Sequence, residues 1–361
     1  MLIRVESRTD VEASDHVVVY PTIGHLVDDG AAWRIDITGT VYEAGCESRR
    51  KRMLLNLLQR AAKVQPTAAE HELFESRIRE FIAPTQRGKQ VALRVGDRVY
   101  QLQRRTKRNG RFAGTVKLSA HELDQLRESG DLRGGVLKLH VLSRDGSESN
   151  FSVHAHLLHD EGVSVVSDID DTIKVSNVHS RRLLLERTFL REFESIDGMS
   201  TLYRHWANQG AAFHYVSSSP WQLYTPLAEM CDACEFPWGS FHLRSFRLRD
   251  HMLRRLLLIR RKGKAKVIQT LLKTFPRRRF ILVGDSGEAD AEMYGRLARK
   301  RPSQVAAIYI HLLDERSLHG ERAAKAFRGI PESSIRTFRS PDELPTDLSY
   351  LTSADSLLVS G

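Results

Sequence analysis

Val163-Ser164-Val165-Val166-Ser167 is an apolar, β-branched run, and Asp168-Ile169-Asp170-Asp171-Thr172 follows it directly. Such a run reads as a buried parallel strand, because a strand covered on both faces is apolar throughout. In extended geometry Asp168, Asp170 and Thr172 project to one side. Two carboxylates so close at a strand's C-terminal end repel each other unless a positive charge lies between them. A hard cation bound by oxygens meets that need. In open α/β sheets the same edge is where ligands bind. This is the pattern of an aspartyl nucleophile with a neighbouring carboxyl acid/base. A bare D-x-D can also be an acidic turn closing a strand. The apolar strand before it and the threonine after it favour catalysis.

Beyond residue 160, strand and helix signals alternate, the mark of a doubly wound parallel sheet. Strands are expected near 163–168, 211–216, 280–284 and 305–310, and helices near 181–193, 199–209, 221–233, 264–275 and 288–299. The region before residue 160 is rich in strand signals instead. Trp33 to Tyr42 alternates apolar and polar residues, as a half-exposed strand does. Val91–Val95 and Arg98–Tyr100 flank Gly96-Asp97 and read as a hairpin. Val136–Val141 and Phe151–Val153 form a second candidate hairpin, with Asp145-Gly146 in its turn. Helical stretches at 53–64 and 71–82 interrupt them. The expected architecture is a doubly wound α/β parallel-sheet domain at 161–340, preceded by a β-rich, sandwich-like domain with helical insertions at 1–160. A tail follows at 341–361. His154, His156 and His159 have a spacing that could serve a metal, but alternation places His154 and His156 on the solvent face of the last strand.

The composition bounds the partners. No window approaches the ~20 apolar residues that span a bilayer, and the first residues lack a signal-peptide core. A cytoplasmic protein, peripheral on membranes at most, is expected. Three cysteines, Cys46, Cys231 and Cys234, cannot build a disulfide framework, and one C-x-x-C lacks the second pair of a zinc site. The net charge is +10 and the pI 9.6. That surface favours anionic membrane, nucleic acid or phosphorylated substrates. Positive runs lie at Arg49–Arg52, Arg104–Arg108, Arg254–Lys266 and Arg277–Arg279. Leu256–Ile259, between arginine pairs, reads equally as a surface-binding helix or a buried one. No aromatic-interleaved basic groove stands out, so nucleic acid is the weaker partner.

The later strands also end in polar residues. Ala212–Val216 runs into Ser217-Ser218-Ser219-Pro220, where hydroxyls and helix-start amides can hold a phosphoryl oxygen or simply cap a helix. Phe280–Val283 runs into Gly284-Asp285-Ser286-Gly287-Glu288-Ala289-Asp290. Asp285 would occupy the same sheet edge as Asp168 and could complete a magnesium site. Asp290 could bind the metal through water or anchor a lysine. In the helix that follows Lys264, the apolar stripe is Val267, Ile268, Leu271, Leu272 and Phe275. Lys264 projects into that stripe, whereas Lys266 projects away. A core-facing lysine is unfavourable unless it reaches a charge. Lys262 stays the second candidate.

Together these residues resemble the haloacid-dehalogenase superfamily: D-x-D-x-T after the first strand, Ser after the second, a helix-opening Lys, and G-D-x-x-x-x-D after the fourth. The D-I-D-D-T-I run also resembles that of the lipins. The nearer resemblance is to the actin-patch-associated phosphatidate phosphatase family of fungi and bacteria. It is carried by Ser167 through Val178, Tyr215 through Tyr224, Phe236 through Leu243 and Phe280 through Asp290, within roughly residues 163–310. Ser218 stands where that family often has Asn, and Ala291 where Pro is expected. The resemblance implies a magnesium-dependent phosphatase acting on phosphatidate, or else on another phosphomonoester. Asp168 would be the nucleophile and Asp170 the acid/base, its pKa raised by the neighbouring carboxylates. Ser217 and Lys264 would be catalytic, with Thr172 and Ser218 also holding phosphate. Asp168, the Asp170 carbonyl and Asp285 would bind Mg2+, supported by Asp290. A catalytically idle scaffold is the remaining alternative. Asp171 receives no role.

Overall fold

The computed structural model describes residues 9–43, 53, 55–56, 59–60, 66–244, 262–314 and 318–352. Most of the helix expected at 53–64, the basic run at 49–52, Leu256–Ile259 and Cys46 lie outside the described residues, as does 353–361. The described chain forms two compact units. One comprises residues up to 43 with 79–159 and 239–241; the other comprises 53–78, 160–238 and the residues from 242 onward. Residues 66–78, sequentially N-terminal, therefore belong with the second unit.

The first unit is built on nine strands: β1 (His16–Val19), β2 (Thr22–Val27), β3 (Ala32–Tyr42), β4 (Ala92–Val95), β5 (Arg98–Gln101), β6 (Arg111–Ser119), β7 (Leu132–Arg133), β8 (Val136–Leu142) and β9 (Glu148–Leu158). Their order is β1-β3-β2-β9-β8-β4-β5, with β6 on β3 and β7 on β8. They are joined by hydrogen bonds into one network, antiparallel as expected except where β2 runs parallel to β9. The length of β3 explains this. Its residues 39–42 pair with β1 and 32–35 with β2, while β6 runs along 32–40. Pro21, between β1 and β2, lacks the N–H that would continue one strand. Trp33, Ile35 and Ile37 of β3 share one apolar core with Leu93, Val116, Leu137 and Leu139. Both expected hairpins form, β4–β5 around Gly96-Asp97 and β8–β9 around Asp145-Gly146. Ala155 is buried between the part-exposed His154 and His156, as the alternation required.

A second sheet has six strands: β10 (Val163–Ser167), β11 (Ala212–Pro220), β12 (Gly239–Arg244), β13 (Arg279–Asp285), β14 (Val305–His311) and β15 (Ile335–Phe338). Their order is β12-β11-β10-β13-β14-β15. β10 pairs parallel with both β11 and β13, β13 with β14, and β14 with β15. Helices Arg181–Phe189, Met199–Asn208, Tyr224–Ala233, Lys262–Thr274 and Asp290–Lys300 fall between the strands. Every residue of β10 is buried. Its two serines are satisfied there: Arg278 Nε donates to Ser164 Oγ at 2.8 Å, and Tyr203 donates to Ser167 Oγ at 2.8 Å. The strand order reverses at β10, so the crevice between the ends of β10 and β13 is the switch point where such sheets bind ligands. Residues 341–352, expected as tail, pack on the second unit. Trp206 Nε1 donates to the Pro345 carbonyl at 2.8 Å, and Leu344, Leu348 and Leu351 are buried. Cys231 and Cys234 are free thiols, Cys231 pushed up to about 12 by burial.

Candidate active site

Register brings the polar strand ends together. Ser167 lies beside Tyr215 on one side and Val283 on the other. Asp168, Ser217 and Asp285 therefore follow at one edge, and the Asp168 N–H donates to the Val283 carbonyl at 2.8 Å. Asp168 is completely buried. Its Oδ1 lies 2.7 Å from Lys264 Nζ. Lys264 also reaches Glu288 at 2.6 Å and Asp290 at 3.5 Å. This is the lysine that helical geometry puts on the core-facing side. Lys262 opens the same helix, but its side chain lies outside the described set.

One ligand oxygen each from Asp168, Asp285, Glu288 and Asp290 lies within 4.8 Å of the others. Four carboxylates thus face one ammonium. Burial pushes Asp168 and Asp285 well above the carboxylate range, and the neighbouring carboxylates push further, Lys264 opposing them. Burial likewise raises Asp290 to about 6. Burial would lower Lys264, but the carboxylates around it hold it well above its ordinary value. Asp285 is oriented by its own turn: its Oδ1 accepts from the N–H groups of Gly287 at 2.6 Å and Glu288 at 2.9 Å. Gly284 must be glycine for the cluster to close, since a Cβ there would stand 2.5 Å from Asp290 Oδ2. Asp168 Oδ2, Asp285 Oδ2 and Asp290 Oδ2 are buried without a hydrogen-bond partner, and Asp168 Oδ1 has the Lys264 ammonium beside it. Orphaned, mutually repelling oxygens are what a hard divalent cation fits.

Asp170 faces a different environment. Its Oδ1 accepts from Ser176 at 2.7 Å and lies 3.0 Å from Lys174 Nζ. Its Oδ2 accepts from Ser217 and Ser219, each at 2.9 Å. Burial alone would raise its pKa, but Lys174 and the hydroxyls overcome that and hold it well below the carboxylate range. The expected upward shift is therefore reversed in this arrangement. The cause is Lys174, a buried cation whose ammonium also lies 4.8 Å from the Phe193 ring centre. Its signal in the sequence was a lone charge inside Thr172-Ile173-Lys174-Val175. Asp171 adopts a positive φ of 56°, which aspartate tolerates better than most residues. Its carboxylate accepts the backbone N–H groups of Ser176, Asn177 and Val178 at 2.7–2.8 Å. Its task is to fold the loop that carries Ser176.

Thr172 Oγ1 is buried without a hydrogen-bond partner, and Ser217 Oγ accepts the Ser219 N–H at 2.9 Å. Ser218 lines two clefts. One, of about 250 Å³, is lined by Lys264, Glu288, Asp290 and Arg296. The other, of about 50 Å³, lies beside Asp170 and is mostly apolar. Besides Lys174, the residues that sequence reasoning missed are Ser176, Ser219 and Glu288. Glu288 stood inside the Gly284–Asp290 motif, where a helix-start carboxylate reads as a capping charge.

Residues 163–312 match the model of the catalytic domain of phosphatidate phosphatase APP1. Phosphatidate phosphatase APP1 of Saccharomyces cerevisiae is 37% identical over 153 residues, 41% of this chain and 26% of that protein. An uncharacterized protein of Schizosaccharomyces pombe is 32% identical over 153 residues, 41% of this chain and 25% of that protein. The chain thus spans only about a quarter of the length of these curated relatives. Among solved structures, the crystal structure of Parabacteroides merdae β-glucuronidase aligns with a TM-score of 0.25 and 9% identity, covering 82% of this chain and 34% of that one, too loosely to inform the fold. The matched span contains β10, β11, β13 and the whole carboxylate–lysine cluster, so the similarity to the APP1 catalytic domain falls on the candidate site itself.

Proposed function

We propose that this chain is a magnesium-dependent phosphatidate phosphatase of the haloacid-dehalogenase type, releasing diacylglycerol and phosphate. One observation supports it above the rest. A fully buried carboxylate, Asp168, sits at the sheet's switch point with Lys264 on one oxygen and three more carboxylates around it. Desolvated charge of this kind, opposed by few partners, marks functional sites more often than structural ones.

Asp168 and Asp285, with the Asp170 carbonyl, would hold magnesium, and Asp290 and Glu288 would support it. Bound there, the ion would offset the repulsion between an anionic nucleophile and an anionic phosphate. Asp168 attacks phosphorus, and the bond from phosphorus to the leaving oxygen breaks as Asp170 gives that oxygen a proton. Water then attacks the aspartyl-phosphate and passes a proton to Asp170. Inorganic phosphate departs and the Asp168 carboxylate is restored. Ser217, Ser218, Thr172 and Lys264 hold the phosphoryl oxygens as charge builds. Ser217 and Ser219 now donate to Asp170. A phosphoryl group that takes over these hydroxyls removes donors that favour the ionised form, and the Asp170 pKa rises toward what an acid needs.

Among the described residues no helix is long and apolar enough to cross a membrane. With a net charge of +10, the reading is of a cytoplasmic protein that meets its lipid at an anionic membrane surface. The test is phosphate release, with and without Mg2+, from phosphatidate in mixed micelles, sugar phosphates and 3′-phosphorylated oligonucleotides. Phosphatidate should be turned over only with the metal, and Asp168→Asn should abolish turnover. Full activity in that variant would remove Asp168 as nucleophile. Turnover of a soluble ester alone would keep the chemistry and replace the substrate.

A further inference from the structure

We propose that the apolar cleft beside Asp170 is the subsite for an aliphatic leaving group, and that Leu184 and Val178 set a preference for alkyl over hydrophilic phosphate esters. This rests on the phosphatase reading above and adds a specificity element to it. The cleft's polar lining is Asp170, Thr188, Ser218, Ser219, Arg244 and Glu288; its apolar walls include Val178, Leu184, Phe189 and Leu223. An acid that protonates the leaving oxygen must stand next to it. Whatever adjoins Asp170 on the open side of the site therefore meets the leaving group. Here most of that neighbour is apolar side chain, supplied by the Arg181–Phe189 helix and the 218–223 segment. A hydroxyl turned toward the Val178, Leu184, Phe189 and Leu223 wall would lose its partners, which an apolar wall penalises. The other cleft, with Lys264, Glu288, Asp290 and Arg296, is charged and suits the phosphoryl side instead.

The size limits the occupant. At about 50 Å³ the cleft admits a few water-sized groups, hence the short aliphatic stretch next to the ester oxygen rather than a whole acyl chain. The rest of a chain would lie outside, and Leu183 on the same helix is 40% exposed, one of three large apolar side chains so exposed among the described residues.

The test compares kcat/KM for hexyl phosphate and methyl phosphate, using the full chain with Mg2+. Leu184 and Val178 are both partly exposed, so Leu184→Gln and the near-isosteric Val178→Thr keep the fold within reach. The hexyl-to-methyl ratio should favour hexyl in the parent and fall by roughly tenfold or more in Leu184→Gln, with a smaller fall in Val178→Thr, the size of discrimination that apolar pockets achieve. A ratio unchanged in both variants would overturn the subsite alone, as would a parent with no hexyl preference. No phosphate from either ester would overturn the subsite, and the phosphatase reading falls with it only if phosphatidate in mixed micelles also releases none.

Discussion

Replacing Asp290 by Asn should stabilise the metal-free protein, although Asp290 lies in a buried ion-pair network. Asp290 is 1% exposed, and its nearest cation, Lys264, stands 3.5 Å away and is shared with closer carboxylates. Its pKa rises from 3.8 to about 6, with burial the first cause. A raised carboxyl pKa means that the folded state holds the proton more tightly than the unfolded chain. Its contribution to stability is full below pH 3.8 and is lost as pH rises through about 6. At about 1.4 kcal/mol per tenfold change, the loss at pH 7.5 is about 3 kcal/mol. Asn removes the charge at nearly constant shape, so thermal unfolding in EDTA at pH 7.5 should shift up by roughly 6–12 °C at ~2–4 °C per kcal/mol. Near pH 4 the variant and parent should converge. Magnesium should raise the parent's midpoint more at pH 7.5 than at pH 5, because only deprotonated carboxylates bind it, and it should do less for the variant. An Asn variant that melts lower at pH 7.5, or that differs equally at both pH values, would refute the view of the cluster as over-charged.

Two further perturbations probe the groups that sequence reasoning missed. Lys174→Met leaves Asp170 charged, buried and without its cation, and should cost about 3–5 kcal/mol at neutral pH, as broken buried pairs do. The Asp170 pKa is depressed by Lys174, so the difference in unfolding midpoint should narrow as acid protonates that carboxyl in the variant. Asp171→Ala strips an acceptor from three backbone N–H groups, and amide exchange at Ser176, Asn177 and Val178 should speed up together. Unchanged protection there would show that Asp171 does not hold the loop.

Much of the second unit was legible because its signals are local. A fully apolar run such as Val163–Val166 permits a strand buried on both faces and little else. Lys264 was placed from helical periodicity alone. The two strands that escaped, β12 and β15, are the outermost in the sheet order, where apolar runs are weakest. The Ala120–Ser129 helix also escaped, though Ser119 and Glu122 form a capping box and Gly130 closes it in a left-handed conformation. That is a signature readable from Ser119, Glu122 and Gly130. The protonation of Asp170 was not legible. It depends on Lys174, Ser217 and Ser219 converging from two segments, and no spacing along the chain reports that distance. Joining the β-rich strands into one network depends likewise on which edge of β3 each strand takes.

The two carboxylates proposed as nucleophile and acid rest with pKa values opposite to those tasks. Asp168 must be ionised to attack, yet burial among carboxylates favours its proton. Asp170 must carry a proton to act as acid, yet Lys174 and the hydroxyls around it favour its charge. Environments that push two carboxyls apart usually reveal which is the acid. Applied to the resting protein, that rule would exchange the roles. The exchange fails on geometry, because Asp168 is the carboxylate that shares the cluster with Asp285 and Lys264, and Asp170 is the one that borders the apolar cleft. Each inversion has its own remedy. A cation among the four carboxylates lowers Asp168, and a phosphoryl group that claims Ser217 and Ser219 raises Asp170. The two shifts are separable. Magnesium alone should bring Asp168 into its ionised form and should not raise Asp170, whereas an inert phosphate analogue should raise Asp170. Carboxyl resonances of the two residues, followed through each titration, would distinguish this from a site in which one ligand moves both.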